Sequence, residues 1–227
     1  FRVPSEVALC VDYHPARRVI AVGFDSGCVR VFDIESTTLI QEHRQHDGAV
    51  LMVEFSGSGS MLVSGGAEGN VCVYSPDDGY LPVKFLATSV RAKRMLLSIS
   101  PDSRLLATVG LDSTRVLVFD TSSLGMKHKI VLNASVILDM KFSPDSDELY
   151  VLTQENCILR FGVASGLLTA KLPNLHRGVC DTFAIDRQGR LLVAGGRDGS
   201  IKVWECASSK FGRQPQSFIG HGAEYVA

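Results

Sequence analysis

The stretch Gly199-Ser200-Ile201-Lys202-Val203-Trp204-Glu205 decides how this chain folds. It follows a tight turn at Arg197-Asp198-Gly199, continues with alternating β-branched residues and reaches the only tryptophan among the 227 residues. Four earlier stretches share this layout, and their aromatic residues are Phe32, Tyr74, Phe119 and Phe161. With Trp204 included, successive aromatics are 42, 45, 42 and 43 residues apart. A near-constant spacing in this range predicts a repeat architecture.

Each repeat predicts four short strands separated by turn residues. In the first repeat we expect strands over 7–13, 19–24, 28–34 and 39–42. These runs are rich in Val and Ile and are bounded by Gly, Pro, Asp and Ser, which is typical of β-strands. The Ser-Pro-Asp sequences at 100–102 and 143–145 favour turns, because proline fixes φ and aspartate hydrogen-bonds its own backbone. The third strands are apolar on both faces, which predicts that other sheets cover them on both sides.

The bulk composition excludes several classes of protein. Net charge is −1, from 23 basic and 24 acidic residues, so no overall field favours nucleic acid or a membrane surface. No apolar run approaches the roughly 20 residues of a membrane span. The six cysteines are scattered without a C-x-x-C pair, which favours buried free thiols in a reducing compartment over disulfides or zinc ligands. The start at Phe1 is neither a methionine nor a signal peptide, so we expect an excerpt of a longer protein.

The period, the four-strand plan, Gly220-His221, the Ser-Pro-Asp turns and Trp204 together resemble the WD-repeat β-propeller family. The resemblance implies an all-β fold with five full four-stranded blades and the beginning of a sixth at 221–227. The five blades are expected over about 4–45, 46–88, 89–133, 134–174 and 175–220. Because a ring of five is unusual in this family, the chain is expected to belong to a larger propeller or multi-propeller protein. Further blades of its own chain would then cover the exposed sheet faces.

In this family a hydrogen-bonded set of His, Ser or Thr, Asp and Trp often locks each blade. Carried over by residue, the fifth blade offers His176, Asp198 and Trp204, with Ala194 where the hydroxyl belongs. The second blade offers His46 and Ser64, with Glu68 and Tyr74 in place of Asp and Trp. The third offers Thr108 and Asp112 without a histidine. Since no set is complete, we expect apolar packing to hold the blades more than this polar network does.

The sequence contains no pattern that predicts catalysis or cofactor binding. His43 and His46 form an H-x-x-H, but no Glu or Cys follows at the spacing of a zinc site. Neither G-x-S-x-G nor a phosphate-binding loop is present. We therefore expect no enzyme activity, no metal and no cofactor.

One charge run, Arg91-Ala92-Lys93-Arg94, stands above the background and lies between two predicted blades. In WD-repeat propellers such linkers share one rim with the turns between second and third strands. The resemblance therefore implies a candidate protein-binding rim, formed by Arg44, His46, Arg91, Lys93, Arg94, Arg177 and Arg197. Two interpretations remain open: a docking face with a basic sector for an acidic protein, or solvated loops, as charge runs usually are. RNA binding is not expected, because the rim lacks aromatics in phase with the basic residues.

These observations predict a non-catalytic scaffold that presents its loops to protein partners. Two alternatives remain: the substrate receptor of a cullin-type ubiquitin ligase, which would bind a cullin adaptor, and an enzyme built on a propeller. The blades also resemble those of the multi-propeller WD-repeat proteins of centrioles and cilia. That resemblance implies a cytoplasmic, microtubule-associated structural role, with the acidic surface of tubulin as a partner for Arg91, Lys93 and Arg94.

Overall fold

The computed structural model describes residues 5–87, 95–109, 113–132, 135–207, 211, 213 and 215–219. The strands of this part of the chain form five four-stranded antiparallel sheets, and in each sheet the spatial order follows the chain. This confirms the predicted all-β fold of five four-stranded repeats. None of the helices in the described ranges has the length and apolar character of a membrane span. The predicted beginning of a sixth blade, 221–227, lies outside the described residues.

The strands are numbered along the chain. Sheet 1 contains β1 (Ala8–Tyr13), β2 (Val19–Phe24), β3 (Cys28–Asp33) and β4 (Thr38–Arg44). Sheet 2 contains β5 (Val50–Phe55), β6 (Leu62–Gly66), β7 (Asn70–Ser75) and β8 (Leu81–Ala87), with a 3-10 turn at Pro76–Asp78 before β8. Sheet 3 contains β9 (Leu97–Ile99), β10 (Leu105–Val109), β11 (Arg115–Asp120) and β12 (Met126–Val131). Sheet 4 contains β13 (Ile137–Phe142), β14 (Glu148–Thr153), β15 (Cys157–Gly162) and β16 (Leu168–Leu172). Sheet 5 contains β17 (Cys180–Ile185), β18 (Leu191–Gly196), β19 (Ser200–Glu205) and β20 (Gln216–Ile219).

The chain divides into two compact units, 1–112 with 116–127 and 113–115 with 128–227. In the first unit, sheets 1 and 2 share an apolar cluster in which Val29 and Val31 meet Val53 and Phe55. Sheets 2 and 3 share a second cluster, which includes Val63, Val73, Leu106 and Phe119. In the second unit, Leu152 and Ile158 of sheet 4 pack with Phe183, Leu192 and Trp204 of sheet 5. Face-to-face packing of this kind explains why the third strands are apolar on both sides.

The five periodic aromatics are core residues. Phe32, Tyr74, Phe119, Phe161 and Trp204 are each 6% exposed or less. Every one lies near the end of the third strand of its sheet, as the spacing predicted. A ring of any kind buries about 150–250 Å² at such a position, which is why Phe, Tyr and Trp can replace one another there as packing groups.

The turn before each third strand requires a left-handed backbone. Gly27, Gly69, Ser113, Asn156 and Gly199 hold this position, with φ between +56° and +91°. At Gly27 a Cβ atom would lie 2.2 Å from the carbonyl oxygen of His46 in the next sheet. Asn156 tolerates the same backbone and uses its side-chain amide to donate to the carbonyl of His176. The turn thus contacts the beginning of the following sheet in both units.

A β-bulge recurs in the first strand of sheets 1, 2, 4 and 5. The register shifts between Ala8 and Cys10, between Val50 and Met52, between Ile137 and Asp139 and between Cys180 and Thr182. Bulges increase the local twist of a strand pair and redirect the following side chains. Their recurrence shows that the repeats share fine backbone geometry as well as strand count.

Five of the six cysteines are buried, and Cys10 is half-buried. Burial raises the pKa of the Cys10, Cys180 and Cys206 thiols to about 11. These thiols are therefore protonated at neutral pH and act as small apolar core groups.

Candidate interaction surface and buried histidine clusters

Sheet 2 contains an unbroken chain of buried hydrogen bonds centred on His46. Its Nδ1 lies 2.5 Å from Oε1 of Glu68, and its Nε2 lies 2.6 Å from Oγ of Ser64. The Ser64 hydroxyl in turn lies 3.1 Å from the hydroxyl of Tyr74. Because a carboxylate can only accept, Nδ1 carries a proton, and in a neutral ring Ser64 donates to Nε2 while Tyr74 donates to Ser64. Glu68 and Tyr74 thus take the places expected for Asp and Trp without interrupting the chain.

The Ser64–His46–Glu68 arrangement matches the connectivity of a Ser-His-acid catalytic triad, but it is closed to substrate. Ser64 is 0% and His46 3% exposed. A nucleophile needs access to a reacting carbon, whereas Ser64 lies in the middle of β6 with its oxygen occupied by His46 and Tyr74. This cluster therefore joins the segment that precedes β5 to β6, to β7 and to the turn between them, and its serine is not accessible to a substrate.

Sheet 5 contains a related cluster around His176. Nε2 donates to the carbonyl oxygen of Ala194 at 3.1 Å, so the main chain replaces the missing hydroxyl of strand two. Nδ1 lies 3.0 Å from Oγ of Ser200 and 3.3 Å from Oδ1 of Asp198. Trp204 packs edge-on against the imidazole, with ring centroids 6.2 Å apart.

The carboxylate of Asp198 organises the turn below this ring. It accepts hydrogen bonds from the Ser200 hydroxyl at 2.6 Å and from the backbone N–H of Arg177 at 2.9 Å. Burial acts to raise the pKa of Asp198, but these hydrogen bonds outweigh it and hold that pKa well below its ordinary value. Asp198 therefore stays ionised and fastens the β18–β19 turn to the segment that precedes β17.

Both histidine rings lie directly over a glycine. A Cβ atom on Gly66 would come within 2.2 Å of a Glu68 carboxylate oxygen and 2.4 Å of His46 Nδ1. A Cβ atom on Gly196 would come within 2.4 Å of the His176 ring and 2.7 Å of Asp198. Real Cβ atoms essentially never approach other atoms this closely, so each cluster requires glycine at the end of its second strand.

The third predicted set lies partly outside the described residues. Thr108 is fully buried in β10, and its hydroxyl donates to the carbonyl of Leu96 at 3.0 Å. Asp112 falls outside the described ranges. Thr108 therefore joins β10 to the segment before β9 through main-chain contact.

His14 forms a further buried cluster in the turn between β1 and β2. Its Nδ1 accepts the backbone N–H groups of Ala16 and Arg17 at 3.1 and 3.0 Å. Because Nδ1 is an acceptor, Nε2 carries the proton and donates to the carbonyl of Gly59 in sheet 2 at 3.1 Å. Burial, with a smaller contribution from Arg17, lowers the pKa of His14. The neutral ring thus joins the β1–β2 turn to the β5–β6 turn.

Carboxylates on the first strands join neighbouring sheets. Asp12 Oδ2 accepts the N–H of Phe55 at 2.7 Å, and Glu54 Oε1 accepts the N–H of Ile99 at 3.2 Å. In the second unit, Asp139 Oδ2 accepts the Thr182 hydroxyl at 2.9 Å and lies 3.4 Å from the N–H of Phe183. These N–H groups belong to edge strands, where a backbone donor otherwise lacks a partner in its own sheet.

The candidate rim residues fall into three groups. In the first unit, Arg44 is exposed at the end of β4, whereas His46 is buried beneath the surface. In the second unit, Arg177 and Arg197 are exposed, and Nε of Arg197 lies 2.9 Å from a carboxylate oxygen of Asp181. Arg91, Lys93 and Arg94 lie outside the described residues.

Across the described ranges, no three His, Cys, Asp or Glu side chains come together as metal ligands. An open groove of about 350 Å³ beside β12 and β15 has a mainly apolar lining with Glu155 and Lys171 at its margin. The polar groups that do converge are the histidine clusters, in which both ring nitrogens of His46 and of His176 have internal partners.

Sequence reasoning missed His14 and the carboxylates of Asp12, Glu54 and Asp139. Each acts on a partner more than 40 residues away, so no local motif marks it. One signal was present: Asp12 and Glu54 occupy the same place in their repeats, between two apolar residues. A polar residue on an otherwise apolar first strand indicates a specific hydrogen-bond partner.

Comparison with known proteins identifies the group to which these repeats belong. The chain is 32% identical over 218 residues to Centriole proteome protein 16 of Chlamydomonas reinhardtii, which covers 92% of this chain and 10% of the relative. It is 35% identical over 235 residues to WD repeat-containing protein 90 of Xenopus tropicalis, covering 97% of this chain and 13% of the relative. The human protein of the same name is 33% identical over 233 residues, covering 96% and 13%. The chain thus spans only 10–13% of the length of these relatives.

A protein-family model matches the chain over its full length. The match covers residues 1–227, and the family is described as the second β-propeller of WDR90/POC16. This agrees with the five four-stranded sheets and confirms the resemblance to WD-repeat β-propellers. The chain belongs to the WDR90/POC16 second β-propeller family.

Proposed function

We propose that this chain is a non-catalytic protein-interaction module of a centriolar or ciliary scaffold, and that tubulin is its acidic partner. The observation that carries the proposal is the burial of its histidine and serine groups, which are engaged by internal partners. His46, Ser64 and His176 are all buried, with their ring nitrogens or hydroxyl engaged by partners within the same sheet. Rigid sheets of this kind offer a partner their turns and linkers and leave the core groups inaccessible.

The name of the Chlamydomonas relative supports the cellular setting. That protein is called Centriole proteome protein 16, and it matches this chain over 92% of the chain's length. A centriolar or ciliary-base location for this chain follows as part of the proposal. A structural role suits a repeat protein whose relatives include WD repeat-containing protein 90, of which the chain covers 13%.

The charge distribution supports an acidic partner. Arg44 in the first unit, and Arg177 and Arg197 in the second, are exposed at turns or strand ends. The segment 91–94 adds Arg91, Lys93 and Arg94 in four residues. Attraction between such basic groups and an acidic protein accelerates association and weakens as salt screens it.

Microtubule co-sedimentation of the full-length protein tests the proposal. The variant Arg91→Glu/Lys93→Glu/Arg94→Glu, and a second variant Arg44→Glu/Arg177→Glu, are expected to sediment less with microtubules than the parent protein. Each lost charge contact of this exposed type is worth about 0.2–1 kcal/mol, so three reversals should weaken binding by roughly tenfold. The parent's binding should also fall as the salt concentration rises.

A matched control reverses the same number of charges elsewhere. Arg18, Arg187 and Arg190 are exposed at or near the turns between first and second strands, at the other end of β2 and of β18. Reversing these three should leave sedimentation unchanged. If the rim variants bind microtubules as the parent does, or if the control variant loses binding equally, the proposed tubulin contact is refuted.

A further inference from the structure

An open groove of about 350 Å³ lies in the second unit, beside the end of β12 and along β15 and β16. The buried side chains of Cys157 and Phe161 line it together with Leu159. Val131 and Leu168 also line it, and they are 56% and 53% exposed. An apolar lining with a few polar groups is typical of a binding site, and this volume is at the lower end of the range for small-molecule pockets, about 300–1,000 Å³.

A hydrogen bond fastens β12 to the turn that follows β15. His128 donates from Nε2 to the carbonyl of Val163 at 2.9 Å. The imidazole packs closely over Gly166 of the same turn, where a Cβ atom would come within 2.8 Å of Nδ1. The two sides of the groove are therefore held in place before a ligand binds, which lowers the cost of ordering them on binding.

Glu155, at the margin of the groove, holds the place of the carboxylates in the two histidine clusters. It lies six residues before the aromatic of its sheet, as Glu68 and Asp198 do in sheets 2 and 5. Those two carboxylates lie beside a buried histidine, but the sequence contains no histidine between positions 128 and 176. Glu155 is exposed instead, so its carboxylate is accessible to a donor from another molecule.

Thr153 leaves no space for an imidazole at this place. It lies eight residues before the aromatic of its sheet, as Gly66 and Gly196 do in sheets 2 and 5. It is fully buried, with its hydroxyl 3.0 Å from Sγ of Cys157. Because a Cβ atom on either glycine would come within 2.4 Å of the histidine ring, a threonine here excludes an internal histidine. The carboxylate of Glu155 is thus left to a partner from outside.

Ser135 adds a polar group to the lining of the groove. Its hydroxyl oxygen is buried and has no hydrogen-bond partner among the described residues. An unpartnered buried hydroxyl is unfavourable, and a bound molecule that offers it a donor or an acceptor removes that cost.

Lys171 places a positive charge at the margin of the groove. It pairs with Leu159 across the two strands, as Phe85 pairs with Cys72 in sheet 2. Phe85 brings an aromatic ring to within 6.3 Å of the His46 ring. A lysine at this position instead extends its ammonium group toward water, which leaves the apolar groove open and attracts a carboxylate to its margin.

The strand arrangement favours an extended ligand. β16 is the last strand of sheet 4, so one edge of its backbone has no neighbouring strand in that sheet. An extended segment can pair with such an edge and direct alternate side chains to one face. The pairs Phe161–Leu168 and Leu159–Lys171 are two residues apart on β15. An apolar and an acidic residue two positions apart in the segment therefore match these two pairs.

We propose that this groove binds an extended segment of a partner protein. The segment places an apolar side chain against Phe161 and Leu168. Its next residues on the groove side are an acidic one at Lys171 and, beyond it, a basic one at Glu155. The inference rests on the proposed role of the chain as a protein-interaction module, but not on the tubulin contact, because Arg177 and Arg197 of the candidate rim lie outside the groove.

Peptide selection on the full-length protein tests this site. A phage-displayed library of random peptides is selected on the parent protein, and peptides that bind the variant Leu168→Glu equally well are discarded. The matched control is Leu81→Glu, because Leu81 is also the first residue of an outer strand and is 54% exposed. Peptides that bind both the parent and this control are kept. We expect them to carry an apolar residue two positions from Asp or Glu.

The order of the charges provides the decisive measurement. The variant Glu155→Lys/Lys171→Glu exchanges the two charges of the groove without changing the net charge. In fluorescence anisotropy it should bind a selected peptide about tenfold more weakly than the parent does, because two exposed attractions become repulsions. A peptide whose acidic and basic residues are exchanged should recover this affinity on the variant and bind the parent poorly.

Three results would overturn the proposal. The first is a selection that leaves no peptide dependent on Leu168, and the second is an exchanged peptide that binds the parent and the variant alike. The third is a full-length Leu168→Cys variant that resists N-ethylmaleimide at every protein concentration, which would assign the groove to another segment of the same polypeptide. These measurements contain no microtubules, so their outcome is independent of the tubulin contact.

Discussion

The substitution Ser64→Ala measures how much the His46 cluster contributes to stability. The Ser64 hydroxyl is the only link between His46 Nε2, at 2.6 Å, and the Tyr74 hydroxyl, at 3.1 Å. Its removal leaves His46 Nε2 without this partner and takes from the Tyr74 hydroxyl one of its two side-chain partners, the other being Cys72. A lost partner at a buried polar atom costs about 1–3 kcal/mol. We therefore expect the free energy of unfolding to fall by about 3 kcal/mol, whereas a Ser→Ala change on the surface usually costs less than about 0.5 kcal/mol.

The partner substitution Tyr74→Phe separates this effect from simple loss of volume. It removes the phenolic hydroxyl but leaves Ser64 bonded to His46, so we expect a cost of about 1 kcal/mol. In the double variant only His46 Nε2 lacks a partner, and the combined cost should be about 1 kcal/mol smaller than the sum of the single costs.

Urea unfolding followed by tryptophan fluorescence measures all three variants, since Trp204 is the only tryptophan. Ser217→Ala, an exposed serine in β20, is the matched control and should be nearly neutral. A cost below 1 kcal/mol for Ser64→Ala, or strict additivity in the double variant, would refute the role given to this chain of hydrogen bonds. Trp204 reports only on sheet 5, so unfolding should also be followed by circular dichroism, which reports on all the strands. The two signals should give the same midpoints.

Three further predictions concern neighbouring features. Gly66→Ala should lower the free energy of unfolding by more than about 2 kcal/mol, because its Cβ would overlap Glu68 and His46, whereas Gly125→Ala should have little effect; urea titration compares them. His14 has a lowered pKa in the folded state, so the unfolded chain binds more protons and the stability that His14 provides is lost as pH falls below about 6.5. Unfolding measured from pH 8 to pH 5 should therefore show a shallower pH dependence in His14→Asn than in the parent. Phe119→Tyr should destabilise by about 1–3 kcal/mol in the same assay, because it buries a hydroxyl in a sheet whose Thr108 already donates to Leu96.

The sheets could be predicted from the sequence because they depend on local signals. Strand alternation, turn residues and the aromatic spacing all act within a few residues, and they located Gly199–Glu205 to within one residue of β19. The fourth strand of sheet 1 was predicted over 39–42 but extends over Thr38–Arg44. Its polar outer half gives a weak strand signal, and the cross-strand pair Arg30–Glu42 stabilises it.

The partners within the site could not be predicted, because they depend on contacts distant in the sequence. Ala194 was identified as lacking a hydroxyl, yet its carbonyl provides the acceptor for His176. His46 was grouped with the charged rim on the basis of its turn position, although its ring is buried and bonded to Ser64 of β6 and Glu68 of the β6–β7 turn. Side-chain type specifies what a residue can bind, whereas backbone geometry decides which atoms are near enough to bind it.

The two histidine clusters show why the repeats differ in their aromatic residue. A histidine before the first strand occurs with sheets 2 and 5, as His46 and His176. In these sheets the second strand ends in Gly-Gly, at 65–66 and 195–196, and the aromatic is Tyr74 or Trp204, which carries a hydrogen-bond donor. Sheets 1, 3 and 4 have Phe at the aromatic position and no Gly-Gly at the end of the second strand.

This association has a steric and a chemical cause. The imidazole needs the space over a glycine, as the 2.4 Å approaches at Gly66 and Gly196 show. Once the ring is present, its sheet contains polar atoms that must be satisfied, and a donor on the aromatic can contribute, as the Tyr74 hydroxyl does. Without the ring, a donor on the aromatic would itself be an unsatisfied buried group, and Phe is the better residue. In these repeats the histidine, the Gly-Gly and the donor-bearing aromatic therefore occur together, in sheets 2 and 5, and are absent together from sheets 1, 3 and 4.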